Sequence, residues 1–131
     1  IDELQLNNNC LLHHTVSNIA EKYCMSSIFV LSSRYEGFGL VLAEAMSCGI
    51  PCVSFDCPHG PSDIIKDYED GLLVEKENIK ELADKICYLI ENENVRIKMG
   101  HKARENVKRF LPENVMPQWK NLFESLTYSS K

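Results

Sequence analysis

No block of lysine and arginine interrupts this sequence. Its 14 basic side chains are outnumbered by 19 acidic ones, giving a formal net charge of −5. The electrostatic footprint of a nucleic-acid binder is therefore missing, and no nucleic-acid partner is expected. Nor does any apolar run approach the roughly 20 residues that a membrane helix needs: "IFVL" at 28–31 is soon followed by Arg34 and Glu36. A secretory leader would show a basic start and an apolar stretch, but the chain opens "IDELQLNNN" without an initiator methionine. It reads as starting within a longer protein. No CxxC pair occurs among the six cysteines (Cys10, Cys24, Cys48, Cys52, Cys57 and Cys87), several of which lie in apolar segments. They read as reduced packing thiols of a cytosolic protein rather than disulfides or zinc ligands. Internal repeats, low-complexity tracts and interdomain linkers are missing too, and the terminal "TYSSK" reads as a frayed end.

What is present suits one globular domain: 131 residues, 44% hydrophobic and 25% charged, enough to bury a core. Short β-type runs alternate with helical patterns, the sequence form of an α/β fold with a parallel sheet and crossover helices. Strands are expected near Cys10–His13, Ile28–Ser32, Pro51–Phe55 and Leu72–Val74, each short, apolar and bounded by polar, Gly or Pro residues. A first helix should begin at Ser17 or Asn18. A second should run from Leu40 to Ser47, with Gly49 ending it. In "NIKELADKICYLIE" (78–91), Ile79, Leu82, Ala83, Ile86, Leu89 and Ile90 recur at helical spacing behind a capping Asn78, so this helix should pack on the sheet. Residues 94–109 carry a thinner stripe of Val95, Met99, Ala103 and Val107, suited to a surface helix. A last helix after Pro112 presents Val115, Trp119, Leu122 and Leu126, flanked by Met116 and Phe123. That face is more apolar than a free tail requires.

The chemistry is concentrated in "RYEGFGLVLAEA" (34–45). A glycine turn feeding a helix N-terminus offers exposed N–H donors and the positive end of the helix dipole to an anion. Carboxylates there would repel one, yet Glu36 and Glu44 stand at either end. Two acids around an anion site suit a ligand that is part anion and part polyol. The loop follows a strand, and open parallel sheets bind ligands beyond the carboxyl ends of their strands. Eight helical residues would rise about 12 Å, the scale separating ribose from hexose in a nucleoside diphosphate sugar. Gly37 and Gly39 let the backbone approach phosphates closely.

These residues resemble the family-four retaining glycosyltransferases of GT-B architecture, whose donor domain carries a Glu-x7-Glu motif. "EGFGLVLAE" is similar to that motif in full. The likeness continues through "SSIFVLSSRYEGFGLVLAEAMSCGIPCVSFDCPHGPSDIIKDYEDGLLV", and "FDCPHGP" resembles a turn of the bacterial capsular and surface-polysaccharide branch. The resemblance implies a Rossmann-like parallel sheet with flanking helices. Residues 1–131 would then be one partial C-terminal donor domain, with the acceptor domain and first strands absent. It further implies sugar transfer from a nucleoside diphosphate sugar to a hydroxyl of a saccharide or lipid-linked acceptor, with retention, without an obligatory metal or other cofactor. The place would be the cytoplasm or the inner membrane face. Glu36 matches the acid on the donor-sugar hydroxyls and Glu44 the acid on the ribose. Phe38, Gly39 and Leu40, after Gly37, match positions whose N–H groups approach sugar and diphosphate. The family's Arg and Lys phosphate pair has no counterpart in these residues, and many relatives have a glycine near His14.

Two other readings compete: a nucleotide-sugar-binding module without chemistry, and a GT-B epimerase acting on the same donor type. The remaining polar residues have plainer roles. His13 and His14 read as solvated strand-end residues and His59 as a turn residue beside Gly60 and Pro61. Asp63 reads as a support for the helix beginning there, Trp119 as a helix anchor, and Arg34 as an outward surface charge. With its apolar last face undercovered, the isolated chain is expected to self-associate.

Overall fold

The computed structural model describes residues 1–128. Three short strands, β1 (Phe29–Leu31), β2 (Cys52–Asp56) and β3 (Gly71–Glu75), form a parallel sheet in the order β1-β2-β3. Phe29 stands opposite Cys52, and Cys52 opposite Gly71. Parallel neighbours need crossovers, and helices supply them: α2 (Leu40–Ser47) joins β1 to β2 and α3 (Pro61–Ile64) joins β2 to β3. Helix α1 (Ile19–Cys24) precedes the sheet. Helices α4 (Ile79–Glu91), α5 (Glu93–Asn106) and α6 (Pro112–Tyr128) follow it, with a 3-10 turn, Val107–Phe110, between the last two.

The period-two alternation of the strands divides the core. Val53, Phe55, Leu72 and Val74 face α4 and meet Leu82, Leu89 and Met99. On the opposite face, Cys52 packs with Leu42, Ala45 and Met46 of α2, Tyr23 of α1, and Ala103 and Val107, while Phe29, Leu31 and Leu73 back it. Both faces of the sheet are thus covered, as a parallel sheet requires. Asn78 caps α4, its Oδ1 accepting from the Glu81 N–H at 3.1 Å.

Several expectations need correcting. Residues Cys10–His13 form no strand; they lie exposed and pair with neither edge of the sheet, and an apolar run becomes a strand only by pairing with a neighbour. In α4, Ile79 and Ile90 are exposed and so is Ala83, since one sheet face accepts a narrower stripe than the periodicity offered. Conversely, α5 is more than a surface helix: Met99, Gly100 and Ala103 are buried, wedged between α2 and the sheet. Trp119 is half exposed and belongs to neither core cluster, and its ring stacks on Phe123 of its own helix at 5.8 Å. Only Cys52 and Cys57 are buried thiols; Cys10, Cys24 and Cys87 are exposed. Of the terminal "TYSSK", Thr127 and Tyr128 are helical rather than frayed, and the rest lies outside the described residues.

Candidate functional site

Because the strands are parallel, the loops leaving β1, β2 and β3 gather at one end of the sheet. The first is residues 32–39. Its Gly39 is buried and sits in the left-handed region (φ 85°) as the N-cap of α2. A side chain there would be strained by the backbone alone, and its Cβ would lie 3.3 Å from Leu42 Cδ1. The Leu42 N–H donates to Gly39 O at 2.9 Å, closing the first turn. Gly37 differs: no heavy atom lies within 4 Å of where its Cβ would be, so space rather than strain marks it.

Around this turn, Glu36 is half-buried, and Phe38 and Leu40 are exposed. Glu44 is exposed one turn into α2 and is held from the side, Tyr23 Oη donating to its Oε2 at 3.1 Å. Tyr23 is itself buried, its ring edge-on to Phe29 at 5.5 Å. Burial, then the hydrogen bond and charge of Glu44, push the phenol up to about 12, so Tyr23 remains a donor at neutral pH. The sequence-predicted residues Glu36, Gly37, Phe38, Gly39, Leu40 and Glu44 therefore share one loop-and-helix unit at the carboxyl end of β1.

The other loops touch this unit. Arg34 Nε pairs with Glu77 Oε1, beyond β3, at 3.1 Å, both side chains being exposed. After β2, His59 takes a left-handed turn conformation (φ 68°), and Gly60 (φ 95°) lies against the Phe38 backbone, where a Cβ would come within 2.4 Å of Phe38 O. Asp63 supports that turn, its Oδ2 accepting from the Gly60 N–H at 3.2 Å. His13 and His14 stand apart, lining a shallow hollow beside α1 with Val16, Ile19 and Met25.

Sequence reasoning missed Tyr23 and Phe110, which touch the unit from elsewhere in the chain, and Arg109, which covers Phe110. Phe110 meets the Phe38 ring edge-on at 5.5 Å, and the Arg109 guanidinium lies over Phe110 at 4.5 Å. No local pattern announces such contacts, since the partners lie 21 residues apart for Tyr23 and Glu44 and farther for Phe38 and Phe110. Among the described residues no group of three or more His, Cys, Asp or Glu side chains is arranged to hold a metal ion. No helix among them is long and apolar enough to cross a membrane.

Known proteins resemble this chain in sequence and fold. The family described as "Glycosyl transferases group 1" matches residues 1–106. Poly(ribitol-phosphate) alpha-N-acetylglucosaminyltransferase of Staphylococcus aureus (strain COL) is 43% identical over 99 residues, which cover 75% of this chain and 20% of that protein. The crystal structure of an S. aureus TarM mutant in complex with fondaparinux, alpha-GlcNAc-glycerol and UDP matches with a TM-score of 0.87 and 36% identity, covering 93% of this chain and 25% of that one. The C-terminal domain of a glycosyl transferase group 1 family protein (LpcC) from Francisella tularensis matches with a TM-score of 0.75 and 28% identity, over 83% of this chain and 57% of that one. The chain spans about a fifth of the length of the S. aureus transferase.

Proposed function

From the premise that this chain belongs to the glycosyl transferases group 1 and has the Rossmann-like fold of their GT-B C-terminal domain, we propose that it is the donor-binding part of a retaining glycosyltransferase. The enzyme would move a sugar from a nucleoside diphosphate sugar to a hydroxyl of a saccharide or lipid-linked acceptor, in surface polysaccharide or glycolipid synthesis on the cytoplasmic side of the membrane. Residues 1–131 would form one partial domain, the acceptor wall coming from elsewhere in the protein. The observation that carries this reading is the pairing of a left-handed Gly39 N-cap with a Glu44 carboxylate fixed by Tyr23: an anion-receptive helix end beside an oriented hydroxyl acceptor group.

In this reading the Phe38, Gly39 and Leu40 N–H groups approach the sugar and diphosphate, and the N-terminus of α2 stabilises negative charge growing on the leaving phosphate. Glu44 accepts from the ribose hydroxyls. One of its oxygens is already engaged by Tyr23, which fixes the direction of the other. Glu36 accepts from donor-sugar hydroxyls and orients the ring, without acting as nucleophile. The glycosidic C–O bond to phosphate breaks through a transition state with oxocarbenium character. The acceptor oxygen then bonds to the same face of the anomeric carbon, and its proton passes to the leaving phosphate.

Substitution of each acid in the intact protein tests the assignment. Glu44→Ala should weaken UDP binding by about tenfold or more, the scale of lost hydrogen bonds to a charged group. Glu36→Ala should lower kcat more than it raises the donor KM, because its contacts strengthen as the ring distorts. Calorimetric titration with UDP and steady-state kinetics read both effects. Wild-type parameters in both variants would remove the site assignment. Transfer should also survive EDTA, since no DxD-type motif lies near the glycine loop. Activity abolished by EDTA and restored by a divalent ion would contradict the metal-independent route.

A further inference from the structure

Phe38 is held by parts of the chain that lie outside its own loop. On its backbone side, Gly60 sits so close that any side chain there would displace the Phe38 carbonyl. On its ring side, Phe110 stands edge-on at 5.5 Å with the planes 87° apart. Phe110 is in turn covered by Arg109, whose guanidinium carbon is 4.5 Å from the ring centroid. Arg109 is fixed by three carbonyls: Nη2 donates to Ile64 O at 2.5 Å and to Asp63 O at 3.3 Å, and Nη1 donates to Asn106 O at 2.9 Å. Asp63 and Ile64 close α3, so Arg109 satisfies carbonyls that the helix leaves without partners. Asp63 also holds the Gly60 N–H, so the two sides of the clamp share a foundation. Support begins at Phe38, for Gly37 before it has open space around its Cβ position.

We propose that Arg109 and Phe110 are positioning residues for a nucleoside diphosphate: the 3-10 turn Val107–Phe110 clamps Phe38 and thereby sets the Phe38, Gly39 and Leu40 N–H groups toward the phosphates. The proposal rests on the donor-binding reading above. Arginine is required because its planar fork reaches separate carbonyls while its face stacks on a ring; a lysine ammonium can do only one of these. An aromatic ring at 110 is required because an edge-to-face pair has a preferred direction that an aliphatic contact lacks. Losing that direction loosens the loop without emptying the core beneath it.

The test uses the full-length protein with UDP, UMP and uridine as probes. Phe110→Leu and Arg109→Lys should each weaken UDP about three- to tenfold, the range an aromatic pair contributes, and leave uridine within about twofold. Phe110→Tyr, which keeps the edge, should restore UDP binding. Amide exchange at Phe38–Leu40 should quicken in both weakened variants while β2 and β3 stay protected; a general loss of stability would instead move every probe and every strand together. Glu44→Ala is the parallel control. If it weakens UDP while Phe110→Leu and Arg109→Lys alter neither UDP affinity nor exchange at Phe38–Leu40, the clamp is overturned and the donor reading stands. If Glu44→Ala leaves UDP affinity unchanged, the donor reading falls and takes the clamp's role with it.

Discussion

Tyr23 donates a hydrogen bond whose value lies in where it points. Its acceptor, Glu44, is exposed and would otherwise sample several rotamers in water, each with a different direction for its free oxygen. One bond from a buried phenol selects among them. Because burial and then Glu44 raise the Tyr23 pKa from 10 to about 12, the folded protein retains this proton where the unfolded chain releases it. The stability from the protonated phenol is therefore complete below pH 10 and is lost as pH rises from 10 to about 12, since the native state then binds more protons than the unfolded one. Tyr23→Phe should lose about 1.4 kcal/mol less per pH unit than the parent across that window. Urea unfolding of both proteins at a series of alkaline pH values checks this. The buried Cys52 thiol, also raised by burial and then by Asp70, is present in both proteins. Parallel pH curves for the two would mean that the hydroxyl is not held as described.

At the scale of elements, the crossing of α5 over the end of α2 reverses a simple expectation from propensity. Gly100 sits inside α5, where alanine would be favoured by about 1 kcal/mol. Yet its Cβ would stand 2.2 Å from Gly49 O and 3.3 Å from Pro51 Cδ, and a backbone oxygen cannot step aside as a side chain can. Overpacking of that kind costs about 1–3 kcal/mol and outweighs the propensity gain. Gly100→Ala should therefore lower the denaturation midpoint at constant m-value, a net loss of about 1 kcal/mol once the propensity gain is taken from the packing cost. A raised midpoint would show that α5 slides freely on α2. The same crossing explains what was legible in the sequence. The Ile28–Ser32, Pro51–Phe55 and Leu72–Val74 runs announced β1, β2 and β3 because strand pattern is local. Gly39 and Gly49 announced the ends of α2 for the same reason. Burial of α5 was legible only as the stripe of Met99, Ala103 and Val107; the close packing at Gly100 was not, since a glycine carries almost no hydrophobic signal and matters only because another backbone comes close. The false strand at Cys10–His13 fails for the matching reason: its apolar residues are a local signal, and they pair with neither edge strand of the sheet. Glu36 and Glu44 could be picked out from their spacing around two glycines, whereas Tyr23, Arg109 and Phe110 act across the fold.

Taken as a whole, the molecule places its donors and its cations differently. The glycine loop offers N–H groups, but the cation nearest to it in sequence, Arg34, is already paired with Glu77, and Arg109 is committed to backbone carbonyls. Contacts to phosphate are strongest when the donor is itself charged, and no uncommitted arginine among these loops supplies one. We therefore predict that the 131 residues on their own bind UDP more weakly than about 100 μM, a free energy of only about 5.5 kcal/mol, and catalyse no transfer. Helix α6 adds a second expectation. Met116, Trp119, Leu122 and Phe123 are 47–60% exposed, a contiguous apolar face of the kind that draws a partner. Two copies of the chain at high concentration should cover it mutually, and replacing Trp119 and Phe123 together by Ser should return the chain to a monomer with little loss of stability, because both rings are at least half exposed and neither belongs to a core cluster. Calorimetry with UDP alongside concentration-dependent light scattering measures both. A clean monomer that binds UDP at micromolar strength or tighter would show that the glycine loop, Glu44 and the clamp behind Phe38 form a complete donor site without added cations. The charge argument would then have to yield to the backbone N–H groups and the dipole of α2.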